Sequence, residues 1–334
     1  EAKLSKLIRY YQTGQFKDAE KIAISVAREF PKHPIGWKLL GAIYWQTGRK
    51  SEATKLNRKA VSLSPNDAEA HYNLGVMLQE SGNFQEAEIS YQTAIKLKPD
   101  CIEAYSNLGS LFEKLEKNEE AEICFRKAIK CNPEYAPAFR NLGVLLQKQT
   151  RLLEAEENFR QAIALKTNYY EAHSNLGVTL QELERAEQAE ASFRKAIAIK
   201  PDYSEAHSNL GVLLRECGRI EEALKCYNQA IAFKTDYAMA YFNLGVTLLE
   251  ISQYRKAEKN FRQAITHAAN YPEAHGNLGV TLLELSRYEE AKESFVRAIK
   301  LKPDYFEAML NLSINLGHMD SLEAEICAWE KLFQ

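Results

Sequence analysis

The string Asn-Leu-Gly recurs at 73–75, 107–109, 141–143, 175–177, 209–211, 243–245 and 277–279, each copy 34 residues after the last. Leu40-Gly41 extends the series backward, and Asn311-Leu312-Ser313 extends it forward. Alanine keeps the same step in two further registers: at 19, 53, 87, 121, 155, 189, 223, 257 and 291, and at 60, 94, 128, 162, 196, 230, 264 and 298. A unit this short cannot close a core alone, so the copies must stack on one another. Ordinary domain sizes would otherwise divide 334 residues into two or three globules.

Each unit reads as two amphipathic helices. In residues 171–203, Ala172, His173, Leu176, Gly177 and Leu180 follow helical spacing, and Ala189, Phe193, Ala196 and Ile197 do so again after a short turn. Gly14, Gly48, Gly82 and Gly218 mark that turn in four other units. A breaker closes most units: Pro31, Pro65, Pro99, Pro133, Pro201 and Pro303 hold one place. Thr167, Thr235 and Ala269 stand there in the remaining three, which predicts less sharply defined junctions. A mid-helix glycine costs about 1 kcal/mol against alanine, so eight in register demand close helix approach. The predicted neighbour is the alanine twelve residues on. Tyr91, Phe125, Phe159, Phe193, Tyr227, Phe261 and Phe295 fall at one place on the second helices and are assigned to the core.

The spacing of Trp37, Leu40, Gly41, Tyr44, Ala53, Ala60 and Pro65 resembles the tetratricopeptide repeat signature, and the other units match it with conservative swaps. The resemblance implies an all-α, right-handed superhelical α-solenoid of about ten antiparallel helix pairs, whose first helices line a concave groove. One solenoid is expected over 1–334: a degenerate repeat at 1–33, eight regular repeats over 34–305 beginning at 34, 68, 102, 136, 170, 204, 238 and 272, and a degenerate helix pair at 306–334. The last helix, predicted from Ser321 to Phe333, carries Leu322, Ile326, Trp329, Leu332 and Phe333. That is too apolar for a solvated end. The chain is therefore expected to continue past Gln334, or to pair end to end with a second molecule.

With the places of each repeat numbered from its first residue, the family geometry turns places 2, 5, 6, 9, 12 and 13 toward the groove. Place 6 is Asn73, Asn107, Asn141, Asn175, Asn209, Asn243, Asn277 and Asn311. Asparagine is a poor helix former, so its eightfold use needs a reason. One reading is a ladder of amides that bond the backbone of an extended peptide. The other is a set of ties between neighbouring repeats. The ladder resembles that of the repeat arm of O-linked N-acetylglucosamine transferases, as does the segment Glu171-Ala172-His173-Ser174-Asn175-Leu176-Gly177. Place 9 is mostly valine: Val76, Val144, Val178, Val212, Val246 and Val280. Repeats of this family that clamp a chaperone's terminal carboxylate carry Lys at place 5 and Asn at place 9; here only Lys38 and Arg140 are basic at place 5, so the clamp is absent. The groove places hold eleven acids (Glu69, Glu80, Glu103, Glu113, Glu171, Glu182, Glu205, Glu216, Glu250, Glu273 and Glu284) against five bases (Lys38, Lys114, Arg140, Lys148 and Arg215). An acidic groove that prefers a basic or neutral segment is predicted.

Other classes find little support. A net charge of −2 suits neither a nucleic-acid groove nor an anionic membrane surface, and no stretch approaches 18 uncharged apolar residues. The six cysteines, at 101, 124, 131, 217, 226 and 327, form no C-x-x-C pair and read as reduced thiols of a cytoplasmic protein. His71, His173, His207 and His275 lie one per unit, at a place expected to face packing within the repeat, and suggest no metal site. No G-x-G-x-x-G, H-E-x-x-H or nucleophile elbow occurs, so no cofactor and no catalytic residue are assigned. The function expected is a protein–protein interaction scaffold holding an extended peptide or partner protein. The alternative is the substrate-recognition arm of a larger enzyme: a glycosyltransferase of the O-linked N-acetylglucosamine type, a sulfotransferase or a methyltransferase.

Overall fold

The computed structural model describes residues 2–318. Nineteen helices and no strand occur among the described residues, in two compact units that divide between Thr167 and Asn168. The first unit runs α1 (Ala2–Gln12), α2 (Phe16–Glu29), α3 (Pro34–Gln46), α4 (Lys50–Leu63), α5 (Ala68–Glu80), α6 (Phe84–Leu97), α7 (Ile102–Lys114), α8 (Asn118–Cys131), α9 (Ala136–Lys148) and α10 (Leu152–Leu165). The second runs α11 (Tyr170–Glu182), α12 (Ala186–Ile199), α13 (Ser204–Glu216), α14 (Ile220–Phe233), α15 (Ala238–Glu250), α16 (Tyr254–His267), α17 (Pro272–Glu284), α18 (Tyr288–Leu301) and α19 (Phe306–His318). Consecutive helices form antiparallel pairs, and within each unit the first helices of successive repeats also touch, as α7 does α9 and α13 does α15.

The glycine register is explained by a ring. A Cβ on Gly177 would stand 2.6 Å from Cε1 of Phe193, and Gly75, Gly109, Gly143, Gly211, Gly245 and Gly279 each face the aromatic ring of their own second helix at 2.6–2.7 Å. The nearest partner is thus the aromatic sixteen residues on, and at Gly41, where Asn57 replaces the ring, a Cβ would also meet the carbonyl oxygen of Ala53, the alanine twelve residues on, at 3.3 Å. The ring needs the glycine as its seat. All seven rings are wholly buried, a contribution of about 2–3 kcal/mol each. In the first helix pair the sizes are exchanged, with Leu7 at the glycine place and Ala23 at the ring place, both wholly buried.

The turn inside each repeat is the same with or without glycine. Gly14, Gly48, Gly82 and Gly218 have φ of +72° to +82°, and Glu116, Thr150, Glu184, Ser252 and Ser286 take φ of +57° to +60° at the same place. The turn is held by a bond from the next amide to the carbonyl five residues back, Asn83 N–H to Leu78 O (2.9 Å) and Gln253 N–H to Leu248 O (2.8 Å). At the five non-glycine positions that bond is made in a backbone region costing about 1–2 kcal/mol for an L-residue.

Junctions without proline are as sharp as those with it, contrary to expectation. α14 and α16 stop at caps with φ/ψ of −137/92° (Lys234) and −142/85° (Ala268), against −134/90° at Lys98 before Pro99. The extended cap residue ends the helix in every case. The place-4 side chains secure the next entry: Nε1 of Trp37 donates to Pro31 O (3.0 Å), and Nε2 of His71, His207 and His275 bonds the carbonyls of Pro65, Pro201 and Ala269 at 2.9, 2.9 and 3.2 Å. A carbonyl only accepts, so Nε2 carries the proton. These histidines therefore bond the closing turn of the preceding repeat, and His207 also packs within its own, its ring centroid 5.5 Å from that of Phe233.

α19 leaves Phe306, Leu310 and Ile314 exposed. The helix predicted at 321–333, with Cys327, lies outside the described residues.

Candidate peptide-binding face

The first helices set the predicted groove residues in two rows. All eight place-6 asparagines, together with Val144, Val178, Val212 and Val246, are half-buried, while Glu182 and Glu216 are exposed. The asparagines separate by what their amides touch. Asn107 Nδ2 donates to Tyr72 Oη (3.2 Å), Asn141 Nδ2 to Ser106 Oγ (3.4 Å) and Asn243 Nδ2 to Ser208 Oγ (3.3 Å). Each acceptor is the place-5 hydroxyl of the preceding repeat. Where place 5 is Phe242, no acceptor exists, and Asn277 Nδ2 turns back to Glu273 O (2.9 Å). Asn73, which follows Lys38, and Asn311, which follows Gly276, make no side-chain hydrogen bond among the described residues, nor does Asn209; Nδ2 of Asn175 is buried without a partner.

Place 5 is small in four repeats, as Ser106, Ser174, Ser208 and Gly276. Tyr135, Tyr169, Tyr203, Tyr237, Tyr271 and Tyr305 recur at the last place of their repeats, and Tyr271 and Tyr305 pack against place 5 of their own. A Cβ on Gly276 would meet Tyr305 Cε1 at 3.0 Å; Phe242 and Tyr271 have ring centroids 4.9 Å apart. Tyr135 and Tyr237 lie beside Ser106 and Ser208, and burial pushes the Tyr237 phenol up to about 12. In the repeat that starts at Ala68 the sizes reverse, with Tyr72 at place 5 and Cys101 at the end. The 34-residue step of these tyrosines was legible in the sequence.

Ion pairs reduce the acidic excess. Glu69 pairs with Lys38 (2.7 Å), Glu80 with Lys50 (2.8 Å), Glu205 with Lys234 (3.5 Å), Glu250 with Arg215 (2.9 Å), Glu273 with Lys302 (3.8 Å), and Glu113 with Lys148. Lys50, Lys234 and Lys302 lie outside the groove places and were absent from the tally that predicted a strongly acidic groove. Among the described residues no group of His, Cys, Asp and Glu could hold a metal ion, and no helix is long and apolar enough to cross a membrane. Cys101, Cys124, Cys131, Cys217 and Cys226 are free; burial raises the Cys124 thiol to about 11.

The sequence profile described as the Cilia and flagella-associated protein 70 C-terminal domain matches residues 10–216, more than half of the chain, and tetratricopeptide repeat profiles match 213–252, 238–271 and 272–305. The chain is a tetratricopeptide repeat protein of that family. Its fold is shared with a chain of the APC/C hetero-tetramer Cut9–Hcn1 (16% identity, TM-score 0.64, covering 90% of this chain and 59% of that one) and with pilF of Pseudomonas aeruginosa (20%, 0.55, 62% and 94%). The tetratricopeptide repeat chain thus spans about three-fifths of the first of these. No curated protein sequence matches it. These matches do not reach the narrower likeness to glycosyltransferase arms, which rests on the asparagine ladder and the segment Glu171–Gly177.

Proposed function

We propose that this tetratricopeptide repeat chain is a protein-interaction scaffold that holds an extended segment of a partner protein along its first helices. Of the place-6 amides not engaged in ties, Asn73, Asn175 and Asn209 bond the segment's backbone. Val144, Val178, Val212 and Val246 provide an apolar floor, and the exposed Glu182 and Glu216 favour neutral or basic side chains. The observation that carries this reading is that Asn73, Asn175 and Asn209 are half-buried on their first helices with amides tied to no neighbouring repeat. An amide donor left unmade costs about 1–3 kcal/mol, which a peptide carbonyl would recover once the Asn175 side chain turns its nitrogen outward.

Twelve-residue peptides selected on the chain from a random library test this reading. Asn73→Ala, Asn175→Ala and Asn209→Ala together are expected to weaken them at least tenfold with little change in Tm. Asn107→Ala, Asn141→Ala and Asn243→Ala together are expected to lower Tm instead. Selected peptides indifferent to the first triple variant, or no selected peptide at all, would refute the ladder.

A further inference from the structure

From α15 onward the groove places change character. After Trp45, place 12 is polar in five successive repeats, as Gln79, Glu113, Gln147, Gln181 and Arg215, and then becomes Leu249 and Leu283. Ties between neighbouring first helices show what that change does. Gln181 Nε2 donates to Glu216 (2.6 Å) and Arg215 Nη1 to Glu250 (2.9 Å), a polar place-12 side chain in each case engaging the place-13 acid of the next repeat. Leu249 offers no donor, and the exposed Glu284 makes no ion pair. Apolar side chains continue along the same helices. Val246, Val280 and Ile314 share place 9; Met239, 50% exposed, takes place 2, where Glu171 and Glu205 stand in the two repeats before; Leu310, 62% exposed, takes place 5. α15, α17 and α19 touch in succession. These residues therefore make one apolar surface within the second unit, bordered by Glu284 and by Glu307, which is also exposed and without an ion pair.

We propose that this surface docks an amphipathic α-helix of the partner protein, apolar on one face and carrying lysine or arginine beside it. Backbone chemistry selects a helix over an extended segment. The amide nitrogens of Asn243 and Asn277 are already engaged, by Ser208 Oγ and by Glu273 O. An extended segment laid across Val246, Leu249, Val280 and Leu283 would bury backbone groups against few partners, whereas a helix satisfies its own. Spacing agrees. Residues seven apart on a helix lie about 10.5 Å apart along its axis, close to the roughly 8–10 Å between packed helices. A stripe at i, i+3, i+4 and i+7 thus meets successive first helices, while strand residues on one face step by about 6.6 Å and fall out of register. Glu284 and Glu307 attract cations that flank the stripe, and the flexible Met239 adapts to its side chains. The surface shares only Val246 with the face proposed for the extended segment. It rests on the scaffold reading and adds a helical element to the partner.

The probe is a fluorescein-labelled synthetic helix of about eighteen residues, with leucine at i, i+3, i+4 and i+7 and lysine beside that stripe, titrated into the whole chain and read by anisotropy. Three altered peptides accompany it: a scrambled one of equal composition without the stripe, one with two central prolines that cannot form the helix, and one with glutamate for lysine, compared at low salt. Each is expected to bind at least tenfold more weakly than the probe. Leu249→Gln with Leu283→Gln restores the residue that Gln147 and Gln181 supply at that place, and is expected to weaken the probe at least tenfold with Tm unchanged. Failure of the probe to bind, equal binding of any altered peptide, or binding that survives the double variant would each overturn the proposal. Light scattering of the chain alone adds one more outcome: self-association abolished by the same double variant would make a second copy the occupant, and the partner helix would fall. Library peptides separate this surface from the ladder. If they depend on Asn73, Asn175 and Asn209 while the helical probe fails, the docking surface falls and the scaffold stands. If the probe binds as expected and no library peptide depends on those asparagines, the ladder falls and the docking surface stands.

Discussion

Within the second unit, the surfaces where successive second helices meet are of two kinds. Between α12 and α14, Arg219 bonds Glu190 (2.8 Å) and Glu222 (2.8 Å), and Arg194 bonds Glu190 (2.5 Å). Between α16 and α18 the same four places repeat the arrangement: Arg287 to Glu258 (2.7 Å) and Glu290 (2.6 Å), and Arg262 to Glu258 (2.9 Å) and Glu290 (3.0 Å). Between α14 and α16 the corresponding residues are Leu224, Asn228, Gln253 and Lys256, and Asn228 Nδ2 merely returns to Leu224 O (2.7 Å). The first unit has the network once, between α8 and α10, with Arg126, Glu122, Arg151 and Glu154. The same places carry single ion pairs at other junctions of the first unit, Arg49 to Glu20 (2.6 Å), Arg58 to Glu86 (2.6 Å) and Lys117 to Glu88 (3.3 Å). The interior repeats with little change from one helix pair to the next, while the ionic surface varies between a full network, a single pair and the junction of α14 and α16 with no pair at these places, so the two layers answer to different constraints.

The largest expected effect tests whether the interiors really are alike. Gly211→Ala and Gly245→Ala each force a methyl into a ring, Tyr227 Cε1 at 2.6 Å and Phe261 Cε1 at 2.7 Å, and each is expected to cost about 1–3 kcal/mol. Chemical denaturation giving clearly unequal losses would mean that the cores on the two sides of the α14–α16 junction differ as well. Next in size, Arg219→Ala is expected to raise amide hydrogen exchange at the start of α14 roughly two- to fivefold, and Gln253→Ala at the equivalent position to leave α16 unchanged. Acid provides a milder version. Bonds from Arg219 and Arg287 hold the Glu222 and Glu290 carboxyls below their ordinary 4.5. A depressed carboxylate contributes stability above that value and loses it as pH falls through the lower folded pKa. Exchange protection at the two tied junctions should decline below about pH 4.5, with no matching decline between α14 and α16. The smallest effect is a gain: Ser252→Gly relieves the left-handed turn before α16, and a Tm rise of a degree or two by calorimetry is expected, whereas Gly218→Ser before α14 should lower Tm.

The fold was almost wholly legible because the 34-residue period fixes helix pairing without any knowledge of contacts. What failed were statements about which side chain meets which. Spacing placed Gly75 near Ala87, and side-chain reach makes the ring of Tyr91 its nearest contact. The left-handed turns at Glu116 and Thr150 were invisible for a related reason: the flanking helices impose the backbone, and the residue type merely tolerates it. For the asparagines, periodicity revealed the row but not its division, since the acceptor for Asn141 is set by Ser106 in another repeat. The acidic tally overstated the groove's charge because Lys234 and Lys302 reach in from caps that sequence places elsewhere. Asn57 was hidden in the gap before a series that begins at Tyr91.

The seat of each ring lies only sixteen residues upstream of it, and this governs how the chain acquires its structure. Closing so short a loop has a small entropic cost, and each closure is independent of the chain further on. Collapse can start at any of seven equivalent places and spread to its neighbours, which favours rapid folding. A nascent chain would then gain one complete helix pair with each further 34 residues, without waiting for its distant end.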